Sequence, residues 1–214
     1  MEPCRLDRIN TEEKEMELFR KKKEDQEPQE KRTWQQTLVM DLRDLFYVLA
    51  IFMIVYMLFF RVVVVIGSSM YQTLHHGDRL LLISSTFYKE PQQGDIIVAS
   101  KKSFSNGECI VKRVIATEGQ VVDIDFQNGI VYVDGVALEE DYIYTKTTLF
   151  EGETFPLTVE ENHVFVLGDN RDNSKDSRNP QIGQIDHREI LGKAIFLLSP
   201  AEKEGWAERF GVID

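Results

Sequence analysis

Charged and polar positions dominate residues 1–43 of the chain, and then they stop. From Leu45 to Phe60 no side chain carries a charge; Arg61 interrupts the apolar run and Val62 to Ile66 resume it. Sixteen uncharged residues fall slightly short of the roughly twenty that cross a bilayer as a helix. Arg61 can snorkel to the interface and let its neighbours complete the span. The pattern predicts one transmembrane helix over 44–62. A cleaved secretory signal fits less well, because the run is long, starts late and ends without a small-x-small site.

Beyond Gly67 the helical pattern gives way to short apolar runs punctuated by Gly-Asp, Gln-Gly and Asn-Gly pairs. Strands are predicted at Arg79 to Ile83, Asp95 to Ala99, Ile110 to Ile115, Val121 to Asp125, Gly129 to Val133, His163 to Leu167 and Ala194 to Leu198. Phe126-Gln-Asn128 joins two of them as a hairpin, and Asp134-Gly135 supplies another tight turn. No long amphipathic helix is predicted after Gly67. The expected fold is mostly β, antiparallel, barrel-like or two-sheeted, preceded by one transmembrane helix. This gives a charged tail over 1–43, the helix over 44–62, a β domain over 63–200 and a C-terminal tail over 201–214. The β domain is large enough for a sizeable core.

Charge narrows the class of partner. A net charge of -11 argues against nucleic acid, which requires clustered Lys and Arg. The dense basic runs, Arg20 to Lys23 and Lys31-Arg32, lie before the helix, together with Arg43. After Arg61 the chain is nearly free of Lys and Arg until Arg79. The positive-inside tendency therefore predicts a cytoplasmic N-terminus and an extracytoplasmic β domain, single-pass in the cell membrane. Cys4 and Cys109 would lie on opposite sides of the bilayer, which excludes a disulfide between them. Cys109 reads as a small buried strand residue. His75-His76 reads as part of a turn, Glu139-Glu140 as a solvated loop, and no metal or cofactor is expected.

Two positions carry candidate chemistry. Ser69 sits on a small-residue turn, Gly67-Ser-Ser-Met70, directly after an apolar stretch. Lys112 lies within the apolar run Ile110-Val-Lys-Arg-Val-Ile115. A serine hydroxyl is a poor nucleophile until a base takes its proton. A lysine becomes that base only when burial lowers its pKa, because the charged form loses hydration. Val111, Val114 and Ile115 supply the apolar surroundings. Arg113, next in the strand, would face the other way.

Three blocks, Ser68 to Leu74, Lys112 to Ile115 and Gly168-Asp-Asn-Arg-Asp-Asn-Ser-Lys-Asp-Ser-Arg178, resemble bacterial type I signal peptidases, the leader peptidases. They occur in that family's order, after a membrane helix, over about residues 45 to 200. The resemblance implies a membrane-bound serine endopeptidase that removes signal peptides from exported preproteins after small-x-small sites. It implies Ser69 as nucleophile, Lys112 as general base and Ser174 as the hydroxyl that orients the base. Asp169 with Arg113, and Asp176 with Arg178, match charged positions that hold the site together. Gly67 falls where some members carry an oxyanion-stabilising hydroxyl. Val65, Met70, Leu74 and Val111 are the expected liners of shallow substrate pockets, and substrate is expected to add as a strand between Val62 to Gly67 and the strand ending at Lys112.

The chain departs from the family twice. Gln72 stands where the family usually has proline, and Asn179-Pro-Gln-Ile182 lengthens a loop that has two residues in shorter members. Preprotein signal peptides, membrane lipid and the secretion translocon are the partners this reading implies. Two alternatives have different chemistry: a repressor-type Ser-Lys self-cleaving protease, and an inactive membrane-tethered β domain that binds peptide. The first should be soluble with a DNA-binding module, and neither feature is present; the intact Ser69, Lys112 and Ser174 weigh against the second.

Overall fold

A computed structural model of the chain describes residues 16–17, 33–101, 108–201 and 209–213. Cys4 and the basic clusters at Arg20 to Lys23 and Lys31-Arg32 lie outside the described residues. Two compact units divide the chain between Phe52 and Met53.

Helix α1 runs from Trp34 to Phe59. It starts ten residues before the expected position and ends three residues earlier. No proline or glycine interrupts Trp34 to Phe59, and Leu, Met and Gln favour the helix there. After Phe59 the β-branched run Val62 to Val65 favours extended backbone. Arg61 and Val62 accordingly belong to a strand and not to the helix. Thr37–Phe59, 23 residues with an 18-residue stretch of mean hydropathy 2.0, is long and apolar enough to cross a membrane. At 1.5 Å per residue it spans about 34 Å, against about 30 Å of hydrocarbon. Its large apolar side chains are exposed on all sides, which suits lipid and not water.

The rest of the described chain is antiparallel sheet. β1 (Phe60–Val64), β2 (Arg79–Ser84), β3 (Ile96–Ser100) and β4 (Cys109–Thr117) come first in sequence. β5 (Val121–Asp125), β6 (Ile130–Val133), β7 (Val136–Ala137) and β8 (Leu157–Thr158) follow, then β9 (His163–Leu167), β10 (Ile185–Asp186), β11 (Ile190–Ser199) and β12 (Gly211–Val212). Among the described residues the large sheet has eight strands, in the order β1-β2-β11-β3-β4-β9-β10, with β12 also paired to β11. The smaller sheet has the order β7-β6-β5-β8. The expected tail 201–214 therefore contributes a strand: Val212 pairs with Phe196.

Strand β4 carries both Lys112 and Arg113. It pairs with β3 on one side and β9 on the other, with a register shift between Val114 and Ala116. Its residues from Lys112 to Ala116 are all buried. Three apolar clusters hold the sheets. One packs Val65, Met70 and Leu74 against Leu80, Leu82 and Val98. Another includes Val114, Val166 and Ile182, and a third includes Ile115, Phe165 and Leu167. Burying each such side chain contributes about 1.5–3 kcal/mol. Ile182 belongs to the lengthened loop, so that insertion is anchored in the core instead of lying on the surface. Gly183 closes it by donating to the Asn179 carbonyl at 2.8 Å.

Candidate active site

Between β1 and β2 the chain makes a loop from Val65 to Asp78, closed at its base like a clasp. Val65 N–H donates to the Asp78 carbonyl and Gly77 N–H to the Val65 carbonyl, both at 2.8 Å. Gly67, with φ +98°, takes a backbone conformation that side chains disfavour. Its N–H donates to His76 Nδ1 at 3.1 Å, and the ring of the other histidine, His75, stacks on Tyr71 at 4.9 Å. Met70 and Leu74 plunge into the core, each about 1% exposed. They pin the turn, and Ser69 between Ser68 and Met70 is left half-buried.

Gln72 has φ +88°. Proline locks φ near -65° and cannot take that conformation. The departure from the family proline thus coincides with a turn that proline would not fit.

The Gly168-to-Arg178 segment holds this loop from the other side. Asn170 N–H donates to the Ser69 carbonyl at 3.0 Å. The Asn170 amide donates to the Ser68 carbonyl at 3.1 Å, and the Asn173 amide to Ser68 Oγ at 2.8 Å. A Cβ on Gly168 would lie 2.5 Å from the Ser69 carbonyl oxygen and collide with Ser174 Oγ. Glycine is required there, since any side chain would push the serine loop and Ser174 apart.

Lys112 enters from β4, 4% exposed. Its Nζ lies 2.7 Å from Ser69 Oγ and 3.0 Å from the Val111 carbonyl. Burial pushes its pKa down from the usual 10.5 to about 8. The carboxylates of Asp176 and Asp169 oppose that fall and Arg178 assists it. The pair is therefore a hydroxyl beside an amine that is largely neutral at mildly alkaline pH.

Arg113 points to the other side of the strand, as alternation requires. It grips Asp169 through two hydrogen bonds of 3.0 and 2.9 Å, and both residues are buried. Its guanidinium sits 4.1 Å above the Tyr142 ring, and Asp169 also accepts from Thr73 of the serine loop. Asp176 and Arg178 form a second buried pair at 2.8 Å, and Asp176 accepts from Gly168 N–H at 3.1 Å. Ser174 Oγ donates to Asp176 at 2.7 Å. Its hydroxyl is therefore fixed against Gly168, next to the serine loop, while the hydrogen bonds of Lys112 Nζ go to Ser69 and Val111.

Several residues of the site carry no obvious signal in the sequence. Arg171 is fully buried, forked onto Glu140 at 2.5 and 3.1 Å, and donates to the Gly168 carbonyl at 2.9 Å. Glu140 is thus an ion-pair partner and not a solvated loop residue. Among the described residues no three His, Cys, Asp or Glu side chains gather as a metal site.

A groove of about 520 Å³ runs up to Ser69 and Lys112 between residues Val63–Met70 and Glu108–Lys112. Val65, Met70 and Val111 line it. Leu74 does not; it is enclosed in the core with Leu80 and Leu82. Cys109 is exposed and lines the same groove. Its place at the start of β4, before the strand enters the core, explains the difference from the expected buried residue.

Residues 38–199 match the profile of a family described as signal peptidase, peptidase S26. The chain belongs to that signal peptidase family. It is accordingly a serine endopeptidase, a hydrolase of peptide bonds. A probable signal peptidase I-1 of Synechocystis is 38% identical over 146 residues, 65% of this chain and 71% of that one. Signal peptidase I of Bacillus amyloliquefaciens is 35% identical over 146 residues, 63% of this chain and 71% of its own. The crystal structure of a signal peptidase I from Enterococcus faecalis is 34% identical, covers 49% of this chain and 97% of its own, and has a TM-score of 0.41.

Proposed function

We propose that this signal peptidase family member is anchored in the cytoplasmic membrane by α1 and removes N-terminal signal peptides from exported preproteins on the outer face. Ser69 is the nucleophile and Lys112 the general base. The observation that carries the reading is the 2.7 Å contact between Lys112 Nζ and Ser69 Oγ, made by a lysine whose pKa burial lowers to about 8. An inactive peptide-binding domain would have no need to keep an amine dry beside a serine.

In the first step the neutral Lys112 amine takes the Ser69 proton while Oγ attacks the scissile carbonyl carbon. The oxyanion that forms is met by the Ser69 N–H, which has no hydrogen-bond partner among the described residues. Gly67 N–H is held by His76 and Gly67 has no side chain, so the backbone of Ser69 is the donor this reading uses. The carbon–nitrogen bond then breaks, and the Lys112 ammonium returns its proton to the departing amine. Water, deprotonated by Lys112, attacks the acyl-serine ester, releases the signal peptide carboxylate and restores Ser69. Arg113–Asp169 and Asp176–Arg178 act at a distance from the reacting atoms. They hold the serine loop, Gly168 and Ser174 in register.

In this reading an extended peptide adds as a strand along the groove, and shallow pockets beside Val65, Met70 and Val111 take small side chains. This is the basis for the small-x-small preference. The test uses protein in detergent with a preprotein, with the cut mapped by mass. Cleavage after a small-x-small site by the native chain, absent in Ser69→Ala, is expected. Cleavage at an unrelated sequence, or unchanged cleavage by Ser69→Ala, would end the proposal. Protease added outside protoplasts should digest the domain after Val62 and spare the residues before Arg43; the reverse would rule out the orientation.

A further inference from the structure

The groove has two distinguishable ends. Four antiparallel pairings, β1 with β2, β2 with β11, β11 with β3 and β3 with β4, separate β1 from β4. The two strands therefore run in the same direction. Val63 and Glu108 share one end of the groove, and Ser69 and Lys112 share the other. The Val63 end continues backwards through β1 directly into α1, since Phe59 ends the helix and Phe60 begins the strand.

A signal peptide's apolar segment precedes the bond that is cut. On the peptidase reading, that segment approaches from the side where β1 emerges from the membrane helix. The peptide then runs along β1 towards Ser69, and the new N-terminus of the product leaves beyond it. Lys175 stands at the Ser69 end of the groove. It lines the groove and is exposed, and it follows Ser174, which packs against Gly168 and hence against the Ser69 loop.

Three carboxylates near Lys175 are already paired elsewhere, and Asp172, three residues before it, is exposed. Asp176 is paired with Arg178, Asp169 with Arg113, and Glu140 with Arg171. Glu151 interacts with Lys175 only at longer range and feels Asp176 and Arg178 more strongly. Lys175 has no carboxylate within 4.0 Å among the described residues. Glu108, the other charged side chain apart from Lys112 that lines the groove among the described residues, lies four residues before Lys112, about 13 Å along the strand. Among the described residues the groove thus carries a carboxylate at the end where the peptide enters and an exposed ammonium near Ser69. On a chain of net charge -11, a lone exposed ammonium at that point is a marked local reversal.

We propose that Lys175 is a specificity residue on the leaving side of the cut. It favours a carboxylate at the first or second position of the released chain. The proposal rests on the peptidase reading of the same groove. A lysine stem is long and flexible enough to follow either position, and an exposed ion pair is worth a few-fold in rate.

The test compares peptides identical except for Asp, Asn or Lys at the second position after the cut, with a parallel set varied at an equivalent position before it. Each is cleaved by the full-length protein in detergent. At low salt the Asp to Lys ratio of kcat/KM should be about three to five. It should fall to near unity in Lys175→Gln and invert in Lys175→Glu, and high salt should compress it. A ratio cancels any general loss of activity in the variants. An unmoved ratio in both variants overturns the assignment, as does a Lys175-dependent preference at the position before the cut. Failure of the native chain to cleave any of the peptides would instead bring down the peptidase reading itself.

Discussion

Lys112 and Arg113 are neighbours on one strand, both cations, both nearly buried, and the structure treats them in opposite ways. On one face of β4, Arg113 receives a carboxylate in bidentate geometry, a backbone carbonyl at 2.9 Å and an aromatic ring. On the other face, Lys112 receives a serine hydroxyl and one carbonyl. Burial with a matched counter-ion gives a rigid strut. Burial without one gives an amine that sheds its proton, because desolvation outweighs the more distant carboxylates of Asp176 and Asp169. Guanidinium and ammonium are also suited to these roles, since the first stays charged and the second does not.

The sharpest way to break the contrast is to remove either reacting group. Ser69→Ala and Lys112→Ala should each lower turnover of a preprotein on the order of 10⁴-fold or more while the melting transition stays in place. Lys112→Arg should fail as completely, because its guanidinium holds its proton. Normal turnover in any of these folded variants would remove the pair from the mechanism.

On the strut side the expected effect falls on stability. Asp169→Ala takes the bidentate carboxylate away from the buried Arg113 guanidinium and should cost about 3–5 kcal/mol of unfolding free energy. Replacing Arg113 and Asp169 together by apolar residues should cost less than that single change. Denaturant titration of the detergent-solubilised protein measures both. If the single variant were as stable as the native chain, the pair would not be holding the serine loop.

A smaller effect is expected at the boundary between the two faces. Ser174→Ala removes the hydroxyl fixed by Asp176 and should slow turnover by up to about tenfold, with little loss of stability. Unchanged turnover would mean that Gly168 and the Asn170 contacts position Ser69 and Lys112 without it.

The two faces were not equally legible in the sequence. Apolar runs and turn pairs located β2 to β6, β9 and half of β11, because those signals are local. The serine turn and the Lys-Arg step in an apolar strand pointed to a reacting pair. What brings them to 2.7 Å is pairing between strands distant in sequence, which local pattern does not encode. The same limit hid the Arg171–Glu140 fork, the return of Gly211 and Val212 to the sheet and the clash that makes Gly168 necessary. Leu74 and Cys109 exchanged expected places for a related reason: position along an element, not residue type, decided which one met the groove. The helix end was misread because an apolar β-branched run looks alike in lipid and in a sheet edge, and only the pairing of Arg61 with Leu82 distinguishes them.

The central claim is that Lys112 acts as a neutral amine because it is buried without a counter-ion. The most direct measurement is kcat/KM for a preprotein across pH, which reports the free enzyme's essential groups. The base works only when unprotonated, so the rate should rise about tenfold per pH unit below the Lys112 pKa. It should turn over near pH 8, where burial has brought that pKa, and level off above. A rate that stays flat from mildly acidic to alkaline pH, or keeps climbing towards the 10.5 of an ordinary lysine, would contradict it.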